Sequence, residues 1–315
     1  MNTTSTKLVW RCAMAAFSAC ATLIAGTVSA AGPFAFKDGD RVVLVGATFI
    51  ERDVRYGCIE TLLTMQFRDL NLTFRNLGWS GDEVSGIARA SFDPIPVGYD
   101  RLVAAIKDAA PTVLLISYGQ NESFKGAKGL DDFTARYAKL LDDVAPLNAR
   151  IVLISPAVQQ DMGPLLPNPA EHNKDVRLYV DAVGKLAEQR SLRFIDMTKA
   201  LTFPTELPMS HWTDNGLHFT EAGYWRAASA LIGALGYTPV QADPKKLDEL
   251  RRTINEKNRL FFLKWRPQNE TYITGFRKYE QGRHVAEIPM FDPLVAEQEK
   301  KISDLRIALS KGGAR

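Results

Sequence analysis

Residues 42–52 read VVLVGATFIER. Val42, Val43, Leu44 and Val45 form an unbroken apolar block. A strand with one wet face alternates apolar and polar residues, so an unbroken block predicts a strand covered on both faces. Gly46 ends the block, and Ala47 and the hydroxyl of Thr48 follow. Two uses fit that hydroxyl. It sits in a tight turn and caps the helix that follows, or it is a nucleophile delivered at the tip of a buried strand.

Similar segments recur along the chain: LTFRN (72–76), TVLLIS (112–117), RIVLIS (150–155) and the weaker LRFID (192–196). Helical spacing fills the intervals at 51–67, 99–109, 130–145, 173–190 and 220–235. This alternation predicts an α/β fold, a three-layer α/β/α sandwich around a five-stranded, mainly parallel sheet. The working site of such a sheet lies beyond the carboxyl ends of its strands. After about residue 240 the pattern changes to charged amphipathic stretches, KKLDELRRTINEKNRLFFLKW and PLVAEQEKKISDLRIAL, with an aromatic, polar segment between them. The expectation is a main α/β domain over 31–240 and a helical C-terminal extension over 241–315. That extension either wraps the domain or joins subunits into a homo-oligomer.

Residues 1–30 read differently. Lys7 and Arg11 precede the apolar run CAMAAFSACATLIAG, and Val28-Ser29-Ala30 gives small residues at cleavage spacing. This predicts a secretory signal peptide cut after Ala30, hence a secreted or periplasmic protein with no membrane role after cleavage. The alternative is a retained membrane anchor. Losing Lys7 and Arg11 with no acidic residue lowers the net charge from +3 to +1. A near-neutral chain gives no reason to expect a nucleic-acid partner. Cys12 and Cys20 leave with the segment, so Cys58 has no internal disulfide partner. The histidines at 172, 211, 218 and 284 are scattered, and no metal or organic cofactor is indicated. The first strand and turn lack the glycine patterns that hold nucleotide phosphates.

The strand ends carry the chemistry. Gly46-Ala47-Thr48 ends the first, RNLGWSGDEV with Asn76, Gly78 and Gly81 the second, and SYGQNES with Gly119, Asn121 and Glu122 the third. TDNGLHFTEAGY carries Asp214, Asn215 and His218 just before the last helix of the domain. Loop glycines expose backbone N–H groups and Asn121 offers a side-chain N–H. Converging, such donors make an oxyanion hole. His218 suits a general base, and an acid or amide three or four residues earlier suits the orienting of its ring. Singly these are ordinary features: a turn glycine, an Asx turn, a helix-start histidine. Their joint order is what points to catalysis.

That order resembles the SGNH, or GDSL, hydrolase family, whose fold is flavodoxin-like. GAT at 46–48 stands where the family has Gly-Asp-Ser, Gly81 matches its second-block glycine, Asn121 its Gly-x-Asn-Asp block, and NGLH at 215–218 its Asp-x-x-His block. FIERDVRYGCIET, FRNLGWSGDEV and the tail WRPQNETYITGFR further resemble a secreted bacterial branch. The resemblance implies Thr48, His218, Asp214 and Asn215 as catalytic residues. It implies Gly81, Asn121, Gly46 and Asn76 as oxyanion or substrate-binding residues. Glu51, Trp79 and Glu122 stand as candidate substrate contacts, and Ser80 as a substitute nucleophile. The departures are specific: threonine for serine, Ala47 for aspartate, and Asn215 for the acid, with Asp214 one residue further back.

Trp79, His211, Trp212 and Tyr224 lie near these motifs, where they serve either a sugar ring or the core. Trp265, Tyr272 and Phe276 either cover the cleft or glue the tail down. Two functions follow. One is an extracytoplasmic ester hydrolase removing small acyl groups, such as acetyl, from carbohydrate. The other is a catalytically impaired glycan- or acyl-binding protein on the same fold. A third, purely structural role would make the cleft irrelevant.

Overall fold

In the computed structural model every strand pairs parallel to its neighbours, in the order β2-β1-β3-β4-β5. The model describes residues 32–164, 166–203, 212–241, 243–273, 275–280 and 284–312. The strands are β1 (Arg41–Gly46), β2 (Thr73–Asn76), β3 (Val113–Ser117), β4 (Arg150–Ile154) and β5 (Arg193–Ile195). The helices are α1 (Thr48–Tyr56), α2 (Cys58–Gln66), α3 (Ile95–Asp108), α4 (Leu130–Val144), α5 (Ala170–Gln189), α6 (Met197–Ala200), α7 (Glu221–Ala234), α8 (Asp248–Trp265), α9 (Glu270–Ile273) and α10 (Phe291–Gly312). The expected signal peptide, 1–30, falls outside the described residues. Among those described, no helix is long and apolar enough to cross a membrane.

Successive strand residues face opposite sides of a sheet, and here both sides are dry. Val42, Leu44, Val113, Leu115, Val152 and Ile154 enter one core with residues of α2 and α7. Val43, Val45, Leu114, Ile116 and Leu153 enter the other with residues of α3, α4 and α5. The four apolar residues of β1 are at most 3% exposed. Burying each contributes about 1.5–3 kcal/mol, so the tip of β1 is a firm platform. The chain steps from β1 outward to β2, then back across to β3. This reversal opens the crevice of an open α/β sheet beyond β1 and β3.

Sequence periodicity over 51–67 predicts one helix, but the structure makes two. Gly57, at φ +65°, stands in the left-handed region between them. The buried Asp53 carboxylate accepts the Cys58 and Ile59 N–H groups at 3.0 and 3.2 Å, capping the second helix. A Cβ on Gly57 would lie 2.2 Å from Asn255 Oδ1, so the C-terminal helices press on this joint.

Residues 33–315 form one compact unit. α8 lies along the β2 edge. There the buried Lys257 donates to Glu60 Oε2 (2.7 Å), Asn258 Oδ1 (2.7 Å) and the Phe74 carbonyl (3.1 Å). Three acceptors saturate its ammonium, as a buried charge requires.

Candidate active site

The turn after β1 is set by crowding. A Cβ on Gly46 would meet the Ser117 carbonyl oxygen at 2.3 Å and Ile50 Cγ1 at 2.8 Å. Position 46 therefore admits only glycine if β1 and β3 are to stay paired. Gly46 thus serves packing, and its carbonyl accepts the Trp79 N–H at 3.0 Å. Thr48 opens α1, so its own N–H has no intrahelical acceptor. Its Oγ1 accepts the Gly81 N–H at 3.1 Å.

The loop carrying Gly81 is stitched to α1. The Asn76 amide donates to the Ile50 carbonyl (2.7 Å) and accepts the Gly78 N–H (2.9 Å). The Glu51 carboxylate accepts the Ser80 N–H and sits 3.3 Å from Arg266 Nη1. Asn76 is buried and Glu51 is committed, so both position the loop rather than contact substrate. Gly81 itself is exposed at φ +73°.

Asn121 Nδ2 donates to the Asp82 carbonyl at 2.7 Å, joining the β3 loop to the Gly81 loop. Glu122 does not face the site. Its oxygens accept the Val84 and Gly119 N–H groups at 2.8 and 3.0 Å, it is 2% exposed, and burial pushes its carboxyl up to about 7. Its expected substrate contact is corrected to a brace between two site loops. Trp79 is also corrected. It lies behind the loop, with the Arg266 guanidinium 3.6 Å from its ring centroid and Trp265 packed edge-on.

His218 sits in a short loop closed by the Thr213–Phe219 bridge. The Asp214 N–H donates to the His218 carbonyl at 2.7 Å. Asn215 Oδ1 accepts the His218 and Leu217 N–H groups at 2.9 and 3.1 Å. Two backbone donors thus fix the amide orientation and leave Nδ2 facing His218 Nδ1 at 3.4 Å. Asp214 does not orient the ring. On the half-exposed rim its carboxylate is taken by Arg52 Nη2. Burial first, then Arg52, lowers the His218 pKa against an opposing pull from Asp214.

Thr48, Asn121 and His218 line one pocket with Arg52, Tyr118 and Phe124. Its volume is ≈ 50 Å³, several times the ~10–15 Å³ one water needs. Among the described residues no hydrogen bond joins Thr48 to His218, although both line this space. Catalytic contacts often tighten only once substrate binds. Ser117 ends β3, Tyr118 and Ser155 directly follow β3 and β4, and all three line the pocket; the strand-end rule alone would have found them. Tyr224 lines it too, but its buried hydroxyl is spent on the Phe49 carbonyl at 2.7 Å. Ser80 is exposed and outside the lining. Trp212 packs on Phe203 and under Arg226, and His211 lies outside the described residues. In the tail, Trp265 is packed whereas Phe276 is 87% exposed, and neither lines this pocket.

Thr48 stands at the switch point of a parallel sheet and shares one pocket with His218 and Asn121, the kinds of group that an ester hydrolase uses. The model of the GDSL-like lipase/acylhydrolase family matches residues 54–226, and the chain belongs to that family. The match begins beyond Thr48, so the first block stands outside it. No curated protein sequence matches the chain. Two solved structures of catalytic mutants of Axe2, an acetylxylan esterase from Geobacillus stearothermophilus, share the fold. Their TM-scores are 0.51 and 0.50, at 18% and 17% identity, over 66% of this chain and 99% of theirs. A lipase/acylhydrolase from Enterococcus faecalis has a TM-score of 0.47 at 18% identity, over 64% of this chain and 100% of its own.

Proposed function

We propose that this esterase removes small acyl groups, such as acetyl, from carbohydrate outside the cytoplasm, with Thr48 as nucleophile. The observation that carries the reading is the Gly81 N–H held on Thr48 Oγ1 at the edge of a pocket shared with His218 and Asn121. In the tautomer that carries its proton on Nδ1, His218 takes the Thr48 proton at Nε2 and Oγ1 attacks the ester carbonyl. The N–H groups of Gly81, Asn121 Nδ2 and Thr48 hold the oxyanion. Collapse expels the alcohol, which takes the proton from His218. Water, deprotonated by the same ring, then frees the acid and restores Thr48. The small pocket suits a short acyl chain. Phe124, 60% exposed beside Gln120 and Asn121, supports a sugar alcohol, because a sugar presents an apolar face and polar edges. The extracytoplasmic setting rests on residues 1–30.

A second reading, a binding protein without turnover, is favoured by one observation: the Asn215 amide nitrogen faces His218 Nδ1 at 3.4 Å, a contact that favours the ring proton on Nε2. Release of p-nitrophenol from its acetate ester decides between them. Esterase action requires a wild-type rate above background and its loss in both Thr48→Ala and His218→Ala. Equal inertness of all three proteins, with retained binding of acetylated xylo-oligosaccharide, would leave the binding reading.

A further inference from the structure

Behind the Gly81 loop lies a second and larger cavity, of ≈ 780 Å³, between α3, the β2 edge and the C-terminal helices. Six of its lining side chains are cationic and three anionic. Most of the cations have partners, but the positions of two donors stand out. Arg89 spends Nε on Asp82 at 2.6 Å and Nη2 on the Leu77 carbonyl at 2.8 Å, and Nη1 is left without an acceptor. Among the described residues Trp265 Nε1 also has no hydrogen-bond partner, whereas Arg266 Nη1 has the Glu51 carboxylate 3.3 Å away. All three residues belong to this one cavity wall, and Arg89 is 1% exposed. Buried donors without acceptors are rare in folded proteins and call for a specific cause. Arg41 adds a cationic side chain at the same wall.

We infer that this cavity binds an organic anion: a ring-sized body bearing a carboxylate, sulfate or phosphate. Donors without acceptors and an excess of guanidinium groups ask for an oxyanion, which arginine pairs well. The volume lies in the range of organic-ligand pockets and far exceeds what an inorganic ion fills. Trp79 and Trp265 supply apolar wall for the body of the ligand. None of these residues lines the pocket around Thr48, so the site is separate from the catalytic one and does not depend on the activity proposed there.

Indole fluorescence of Trp79 and Trp265 gives the readout. The full-length protein is titrated with glucuronate, glucose 6-phosphate, glucose and inorganic phosphate, and affinities are checked by calorimetry. Saturable binding of glucuronate or glucose 6-phosphate is expected, and the stronger of the two identifies carboxylate or phosphate as the preferred group. Raised salt should weaken binding. Arg266→Gln and, independently, Arg41→Gln should each weaken it about tenfold or more, at unchanged thermal midpoint for at least one of them. Thr48→Ala should leave it intact. Glucose binding as tightly as the sugar anions, inorganic phosphate matching them, no saturable binding at all, binding unmoved in both arginine variants, or binding lost in Thr48→Ala would each overturn the inference.

Discussion

Asn215 turns its amide nitrogen, not its oxygen, toward Nδ1 of His218, at 3.4 Å. The cause is local: the amide oxygen is already held by the N–H groups of Leu217 and His218. An amide N–H donating into Nδ1 leaves the ring proton on Nε2, the atom that must be bare to act as base. Where the same acid-to-amide change was measured in a serine triad, the wrong tautomer cost about 10⁴ in rate. Asn215→Asp keeps an oxygen for the two backbone donors and turns the other into an acceptor for Nδ1–H. Ester hydrolysis by Asn215→Asp should therefore exceed wild type by ~10²–10⁴ in kcat, measured on p-nitrophenyl acetate. An unchanged rate would remove His218 from the role of base.

Thr48→Ser is the second change that should raise activity. The threonine methyl stiffens χ1 and crowds the approach of an ester to Oγ1. Relieving an off-rotamer attack geometry is worth about 0.5–1.5 kcal/mol, roughly two- to tenfold in kcat. The Gly81 N–H keeps its acceptor in the serine variant, so KM should move little. Steady-state kinetics of the two proteins checks this, and a serine variant slower than wild type would show that the methyl positions the hydroxyl.

The pH profile should carry the signature of a depressed histidine. Burial and the Arg52 charge both favour the neutral ring. In the proposed role of base His218 must be neutral, so activity should persist above its folded pKa and fall as pH drops through a value below the ordinary 6.5. Arg52→Gln removes one depressing charge and frees the Asp214 carboxylate, which raises the His218 pKa. The acid limb of kcat/KM should then move to higher pH. A limb that stays in place would mean that the titrating group is not His218.

Much of this site was legible because strand ends are legible. Continuous apolar blocks fixed the sheet and pointed to Gly46, Thr48, Gly81 and Asn121 at its rim, and the histidine loop followed from TDNGLH. What could not be seen was where side chains spend their hydrogen bonds. Glu122 stands in sequence next to Asn121, yet it turns inward to two backbone N–H groups. Sequence leaves either Asp214 or Asn215 to orient the ring, and Asp214 is instead held by Arg52, 162 positions away in sequence. Trp79 stands two residues before Gly81 but packs against Trp265, from a segment whose sequence shows only an amphipathic helix. Likewise the break at Gly57 depends on a carboxylate four residues back and an asparagine on α8, neither of which periodicity reports.

Glu122 should also leave its mark on stability. Its carboxyl is raised from 4.5 to about 7, chiefly by burial. A group whose folded pKa is raised stabilises the fold fully below its unfolded value, and that contribution is lost as pH rises through the folded one. The wild-type urea midpoint should therefore carry a component that declines between about pH 4.5 and 7. Glu122→Gln has no proton to lose in this range, so that component should vanish. The amide also has a single acceptor oxygen, so one of the Val84 and Gly119 N–H groups loses its partner, at a cost of roughly 1–3 kcal/mol at acid pH. The two unfolding curves should consequently converge as pH rises. Parallel midpoints from pH 4.5 to 8 would show that Glu122 is already ionised in the folded protein and that its two backbone donors outweigh its burial.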